Sequence, residues 1–114
     1  MNEFIMNSNI DIDTFLKELR GRTYRFTYME RLNHWGENAF FLKERTKNNY
    51  ELYYHKAYIR DFFRMKLSII STADGIQVTA KQSRNILTSW NLGSKSIDLI
   101  VNLLNEICSM GNIK

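Results

Sequence analysis

The fold turns on Leu67-Ser68-Ile69-Ile70-Ser71-Thr72-Ala73-Asp74-Gly75-Ile76-Gln77-Val78-Thr79-Ala80. Two runs rich in Ile, Val and Thr flank Asp74-Gly75. Asp-Gly in that setting signals a hairpin, because a tight turn between twisted strands needs residues that accept φ > 0. An antiparallel pair is therefore the first expectation, and the rest of the chain must supply more strands or something to pack against it.

Upstream, Tyr50-Glu51-Leu52-Tyr53-Tyr54 and residues 39–45 are extended candidates joined by a Lys47-Asn48-Asn49 turn. In Tyr24-Arg25-Phe26-Thr27-Tyr28 the aromatic residues alternate with Arg25 and Thr27, and Leu32 continues the apolar side. That period of two predicts another half-buried strand, ending at a turn around Gly36. Three strands with short turns make an antiparallel meander.

The stretch 55–66 changes period. Tyr54, Tyr58, Phe62 and Met65 fall at helical spacing, with Lys56, Arg60 and Arg64 at i, i+4 and i+8 on the other side. The spacing predicts a middle helix. A first helix begins after Asp11, with Ile12, Phe15, Leu16 and Leu19 on one face, Asp11 as N-cap and Gly21 as its stop. A last helix follows Gly93-Ser94. Its stripe of Ile97, Ile100, Val101, Leu104 and Ile107 is widened by Leu99, Leu103 and Cys108, so it must pack on the sheet or on a second copy of the chain. Residues 83–90 read as either a short helical turn or a docking strand. Residues 1–10, with Asn2, Asn7, Ser8 and Asn9 and no period, are expected to be a flexible arm before a single domain over 11–114. Strands in blocks rather than in alternation with helices give an α+β class. The expectation is one antiparallel sheet of 4–5 strands packed against N-terminal, middle and C-terminal helices.

A length of 114 residues supports one core. The 13% aromatic content excludes a disordered chain, and no apolar run is long enough to span a bilayer. Glu3 and the lack of any basic residue before Lys17 argue against a secretory signal, so a cytoplasmic location and no membrane partner are expected. Cys108 is the single cysteine, which excludes an internal disulfide and predicts a small buried hydrophobe.

Charge is uneven. Residues 20–66 hold eleven basic and five acidic side chains, and that +6 exceeds the chain total of +4. They also hold twelve of the fifteen aromatics. Basic surface interleaved with aromatic rings is a signature of nucleic-acid binding, since cations neutralise phosphates and rings stack on bases. The residues expected to carry it are Arg25, Arg31, Lys43, Arg45 and Lys47 around the first strands, and Lys56, Arg60, Phe63, Arg64 and Lys66 on or beside the middle helix. Phe41 or Tyr53 on a sheet face would stack unpaired bases. The partner would be DNA or RNA, with a regulatory or accessory role.

Catalysis finds little support. The chain has two histidines, His34 and His55, no phosphate-binding glycine loop and no Gly-x-Ser-x-Gly elbow. His34 and Glu37 are close enough in sequence to form a local pair, but a polar turn accounts for them. No enzyme activity, cofactor or metal is expected. The alternative to nucleic acid is a protein–protein adaptor or small inhibitor protein that binds through an exposed aromatic and apolar patch, with Trp35, Ile59, Phe63 and Trp90 as its anchors. A homodimer through the helix at 97–108 is compatible with either role.

Overall fold

The computed structural model describes residues 3–82 and 90–112. It is an α+β fold with one mixed six-stranded sheet. The elements in chain order are β1 (Glu3–Ser8), α1 (Ile12–Gly21), β2 (Tyr24–Arg25), α2 (Tyr28–Asn33), β3 (Ala39–Thr46), β4 (Asn49–His55), β5 (Phe62–Thr72), β6 (Gly75–Gln82) and α3 (Trp90–Ser109), with a 3-10 turn at Met110–Asn112. The strand order is β1-β6-β5-β4-β3-β2. The short edge strand β2 runs parallel to β3, and the other pairings are antiparallel.

The Asp-Gly signal does mark a hairpin, β5–β6, with Thr72 opposite Gly75. Residues 73 and 74 form the two-residue turn, and Gly75 opens β6 at φ +154. The turn at Lys47-Asn48 likewise joins β3 and β4, with Asn48 at φ 69. Asn tolerates that left-handed conformation at little cost.

Alternation along β5 and β6 decides which face is the core. Phe63, Met65, Leu67 and Ile69 are buried, as are Ile76, Val78 and Ala80 opposite. With Leu52 and Tyr54 of β4 and Leu42 of β3 they form one apolar layer. Two helices cover it. α1 buries Phe15 and Leu19, and its N-cap Asp11 accepts hydrogen bonds from the Thr14 N–H at 3.1 Å and the Thr14 hydroxyl at 2.6 Å. α3 buries Ile97, Ile100, Leu103, Leu104, Ile107 and Cys108 in the same layer. The stripe once open to a second copy is therefore used within the chain, which removes the basis for a dimer through this helix.

Four expectations are corrected. The middle helix at 55–66 does not form: β4 continues to His55, residues 56–61 make a loop, and β5 starts at Phe62. The helical stripe was an accident of spacing, since Tyr58 is 70% exposed, while Phe63 and Met65, two apart, are both buried. The strand expected at 24–32 stops after Arg25, and a second helix, α2, takes over from Tyr28. Thr27 caps it by accepting from the Glu30 N–H at 3.1 Å, and the Thr-x-x-Glu spacing is that of a capping box. Residues 3–8, read as part of a loose arm, form β1 on the sheet edge, with Phe4 and Met6 packed against the core. The sheet consequently has six strands, with one parallel pair, instead of four or five antiparallel ones. Of the segment 83–90, for which a helical turn or a docking strand was expected, residues 83–89 lie outside the described residues and Trp90 begins α3.

Gly75 is where β1, β6 and the hairpin meet. A Cβ there would overlap the carbonyl oxygen of Ser8 and lie 2.6 Å from the Cα of Asn9. Gly75→Ala is expected to destabilise the fold by about 2 kcal/mol or more, because it adds a backbone clash to an unfavourable φ. Thermal unfolding of the variant checks this, and an unchanged midpoint would contradict the close approach.

Candidate nucleic-acid interface

The second face of the sheet is divided in two. Near the β2 edge it is aromatic and covered. Phe41 and Tyr53 are buried there with Ala39, and Phe26 and Phe62 pack on them. Phe26 stacks on Tyr53 at 3.9 Å between ring centroids. Arg31 of α2 lays its guanidinium over the Phe62 ring at 4.3 Å and the Trp35 ring at 5.4 Å. His55, fully buried, has Nε2 3.1 Å from the Trp35 carbonyl oxygen. Two expectations end here. Phe41 and Tyr53 are packed away from any base, and Arg31 is spent on aromatic rings, a contact that gains strength as it is desolvated. Phe63, also expected at the interface, is 3% exposed and belongs to the opposite, helix-covered face.

The remaining half of this face is uncovered and carries charged and polar side chains, with Ile5 and Ile70 exposed beside them. Strand register aligns Glu3, Lys81, Lys66, Glu51 and Lys43 as directly opposed residues across β1, β6, β5, β4 and β3. Opposed residues project to one side of a sheet, so these five form a single row. Lys66 and Lys81 stand directly opposite each other, and on their outer sides Glu51 is opposed to Lys66 and Glu3 to Lys81, which offsets the like-charge pairing. Arg64 is two residues from Lys66 and opposite Tyr53.

Glu51 sits at the centre of this cluster and is 7% exposed. The Tyr53 hydroxyl donates to its Oε1 at 2.7 Å, and an Arg64 Nη1 lies 3.8 Å from its Oε2. Burial works to raise its pKa, but the Tyr53 hydrogen bond and the charges of Arg64, Arg45 and Lys43 outweigh it and hold the carboxyl below its ordinary value. Tyr53 moves the other way: burial first, then the hydrogen bond to Glu51, raises its hydroxyl above the ordinary range. Arg45 thus joins Lys43 and Arg64 in the field around Glu51.

Of the ten expected site residues, Lys43, Arg45, Arg64 and Lys66 therefore come together. Arg25 pairs in register with Leu42, which places it towards the opposite face at the β2–β3 edge. There Glu44 receives two hydrogen bonds from Arg20, each 3.0 Å long. Lys47 is exposed in the β3–β4 turn, and Lys56 and Arg60 are exposed in the loop before β5, so neither group belongs to the open-face cluster. Arg22 is bound to Glu18 and Glu106. Lys81, which sequence reasoning omitted, joins through alternation: Ile76, Val78 and Ala80 point to the core, so Gln77, Thr79 and Lys81 point away.

The His34–Glu37 contact that the sequence spacing allowed, and that a polar turn was expected to account for, is present. The His34 Nδ1 lies 3.1 Å from Glu37 and its Nε2 3.5 Å from Glu30, with the ring stacked on Tyr24 at 3.7 Å. The cleft beside Tyr24, of about 610 Å³, includes neither histidine in its lining. Among the described residues no group of three or more His, Cys, Asp or Glu could hold a metal ion. No described helix is long and apolar enough to cross a membrane.

No protein-family model, curated protein or solved structure matches the chain.

The Glu51 carboxylate makes a checkable contribution. Its folded-state value is depressed from 4.5, so its stabilisation is complete above that ordinary value and is lost as the pH falls through the lower folded one. Glu51→Gln should cost about 1 kcal/mol at neutral pH, and the gap from the native chain should close on acidification. Urea titrations at several pH values test it; a gap that widens towards acid would exclude the assigned ion pair.

Proposed function

We propose that the chain is a small nucleic-acid-binding protein without enzymatic activity, with an accessory or regulatory role on DNA or RNA, acting from the open half of its sheet. The observation that carries this reading is the grouping of Lys43, Arg45, Arg64, Lys66 and Lys81 on one face around the acidic residues Glu51 and Glu3. Five cations against two carboxylates leave a surplus of three. Glu51 anchors Arg64 from below, which costs the cluster one charge and orders the rest. Ser68 and Thr79 lie opposite each other on the same face, and such hydroxyls suit phosphate oxygens.

Because the rings beside it are covered, the open face itself contributes affinity through phosphate contacts. With about four phosphates neutralised on duplex DNA, log K is expected to fall with log salt at a slope of about −3 to −4. Lys43→Glu combined with Lys66→Glu replaces two exposed or half-exposed side chains away from the core. It should weaken binding of mixed DNA and RNA oligonucleotides by at least roughly a hundredfold at low salt while the fold persists. Fluorescence anisotropy at two salt concentrations measures it. An unchanged affinity in this variant would dissociate the face from the binding.

A second reading, adaptor or inhibitor binding to another protein, is favoured by one separate feature. Tyr28, Met29 and Leu32 of α2 are 75%, 61% and 46% exposed, and Tyr58 and Ile59 of the 56–61 loop are 70% and 37% exposed. The loop meets the turn that follows α2, where the Tyr58 N–H donates to the Trp35 carbonyl at 2.9 Å. Exposed aromatic and apolar side chains grouped in this way are the usual anchors of protein contacts. Under this reading Tyr28→Ser with Leu32→Ser abolishes capture of a protein partner and leaves oligonucleotide binding intact. Loss of oligonucleotide binding alone, with capture retained, would count against it.

A further inference from the structure

The cleft of about 610 Å³ at the β2–β3 edge has a composition that the open face lacks. Arg20, Arg25, Lys43 and Glu44 bring charge to it, and Tyr24 and Phe26 bring rings. Its size lies within the roughly 300–1,000 Å³ range of small-ligand sites. Arg20 is committed to Glu44 through two hydrogen bonds. Arg25 and Lys43 have no ion-pair partner within 4 Å among the described residues, although Arg25 lies in the field of Glu44 and Lys43 in that of Glu51. Tyr24 is 38% exposed and already forms one layer of a stack on His34, and Phe26 begins another on Tyr53. Lys43 belongs both to this cleft and to the charged row, so the cleft adjoins the open face at β3, and Arg25, in register with Leu42, borders it from the other side of the sheet edge.

We propose that this cleft takes one unpaired nucleotide of a single-stranded nucleic acid, with its phosphate between Arg25 and Lys43 and its base against Tyr24 and Phe26. The inference rests on the nucleic-acid reading above and adds to it a preference for unpaired strands. A duplex keeps its bases stacked inside and cannot offer one to an edge cleft without unpairing it. A single strand gives up a base at low cost, and a ring that stacks on it is sequence-tolerant because every base has a π-face. Neither sugar type is selected by the residues named.

The test uses the full chain with 15-nucleotide oligothymidylate and oligouridylate, each carrying one 2-aminopurine, and a duplex of the same length. The expected result is about tenfold tighter binding of the single strands than of the duplex, with quenched 2-aminopurine fluorescence as the reporter base stacks. Arg25→Ala and Tyr24→Leu should each remove most of that preference and leave duplex affinity unchanged. Tyr24→Leu also removes a stack on His34; the quenching in the native chain does not depend on it, and its circular dichroism is recorded alongside. Equal affinity for single strand and duplex, with no quenching, overturns the cleft assignment and leaves the charged face standing. No binding of any oligonucleotide at low salt overturns both. A preference for oligouridylate over oligothymidylate, or the reverse, with quenching in both, supports the cleft, and oligodeoxyuridylate measured alongside separates the 2′-hydroxyl from the base C5 methyl as its cause.

Discussion

The period of two along β5 constrains the molecule more than any other feature. Once Phe63, Met65, Leu67 and Ile69 are buried under the helices, Arg64, Lys66, Ser68 and Ile70 have no choice of side. The same geometry sends Glu51 and Tyr53 to that side from β4, and Lys43 from β3. A cationic surface is thus a by-product of core formation, and a one-residue slip would bury the charges and expose the core. The packing energy that fixes the register also fixes the charge layout.

Six strands present two faces, and α1 and α3 cover only one of them. The chain closes part of the other with its own β2–α2 segment, using Phe26, Arg31 and Trp35 as the lid over Phe41, Tyr53 and Phe62. Beyond the lid the face turns polar, and there Glu51 replaces apolar contact with a hydrogen bond and an ion pair. A buried carboxylate alone would be costly. Surrounded by Tyr53, Arg64, Arg45 and Lys43, it becomes the anchor that lets like charges sit close together. The two halves of the face meet at Tyr53, which stacks on Phe26 with its ring and bonds Glu51 with its hydroxyl.

What the sequence revealed follows the locality of each signal. The β5–β6 hairpin, the β3–β4 turn at Asn48, α1 with its Asp11 cap and the apolar stripe of α3 are written in short windows, and the structure contains each of them. The 54–65 window failed because a helical period matched by four residues was preferred over the alternation that Phe63 begins and that the next strand continues. β1 was missed because Phe4 and Met6 are too few to signal a strand alone; pairing with β6 makes them one. The Thr27–Glu30 spacing did hold the start of α2, but the aromatic alternation of 24–28 masked it. For the site, residue type was legible and placement was not. Lys43, Arg45, Arg64 and Lys66 converge only through strand register, Lys81 enters only through β6, and the burial of Phe41, Tyr53 and Phe63 is a tertiary fact.

The surplus charge of residues 20–66 does not form one continuous patch. Part of it is neutralised, by Glu44 at Arg20 and by Glu18 and Glu106 at Arg22, and part is absorbed by rings at Arg31. Lys56 and Arg60 stand apart in a loop. A net charge of +6 therefore overstates the field that any one partner meets, and the relevant figure is the local excess of three on the open face. An excess of that size is small against the eight to ten phosphates that a broad duplex footprint presents, where counterion release rises with each contact. On the nucleic-acid reading proposed above, it fits a ligand that touches a few phosphates on the open face and stacks a base at the β2 edge. The distribution of charge, rather than its total, is what favours a narrow path from the open face towards the β2 edge.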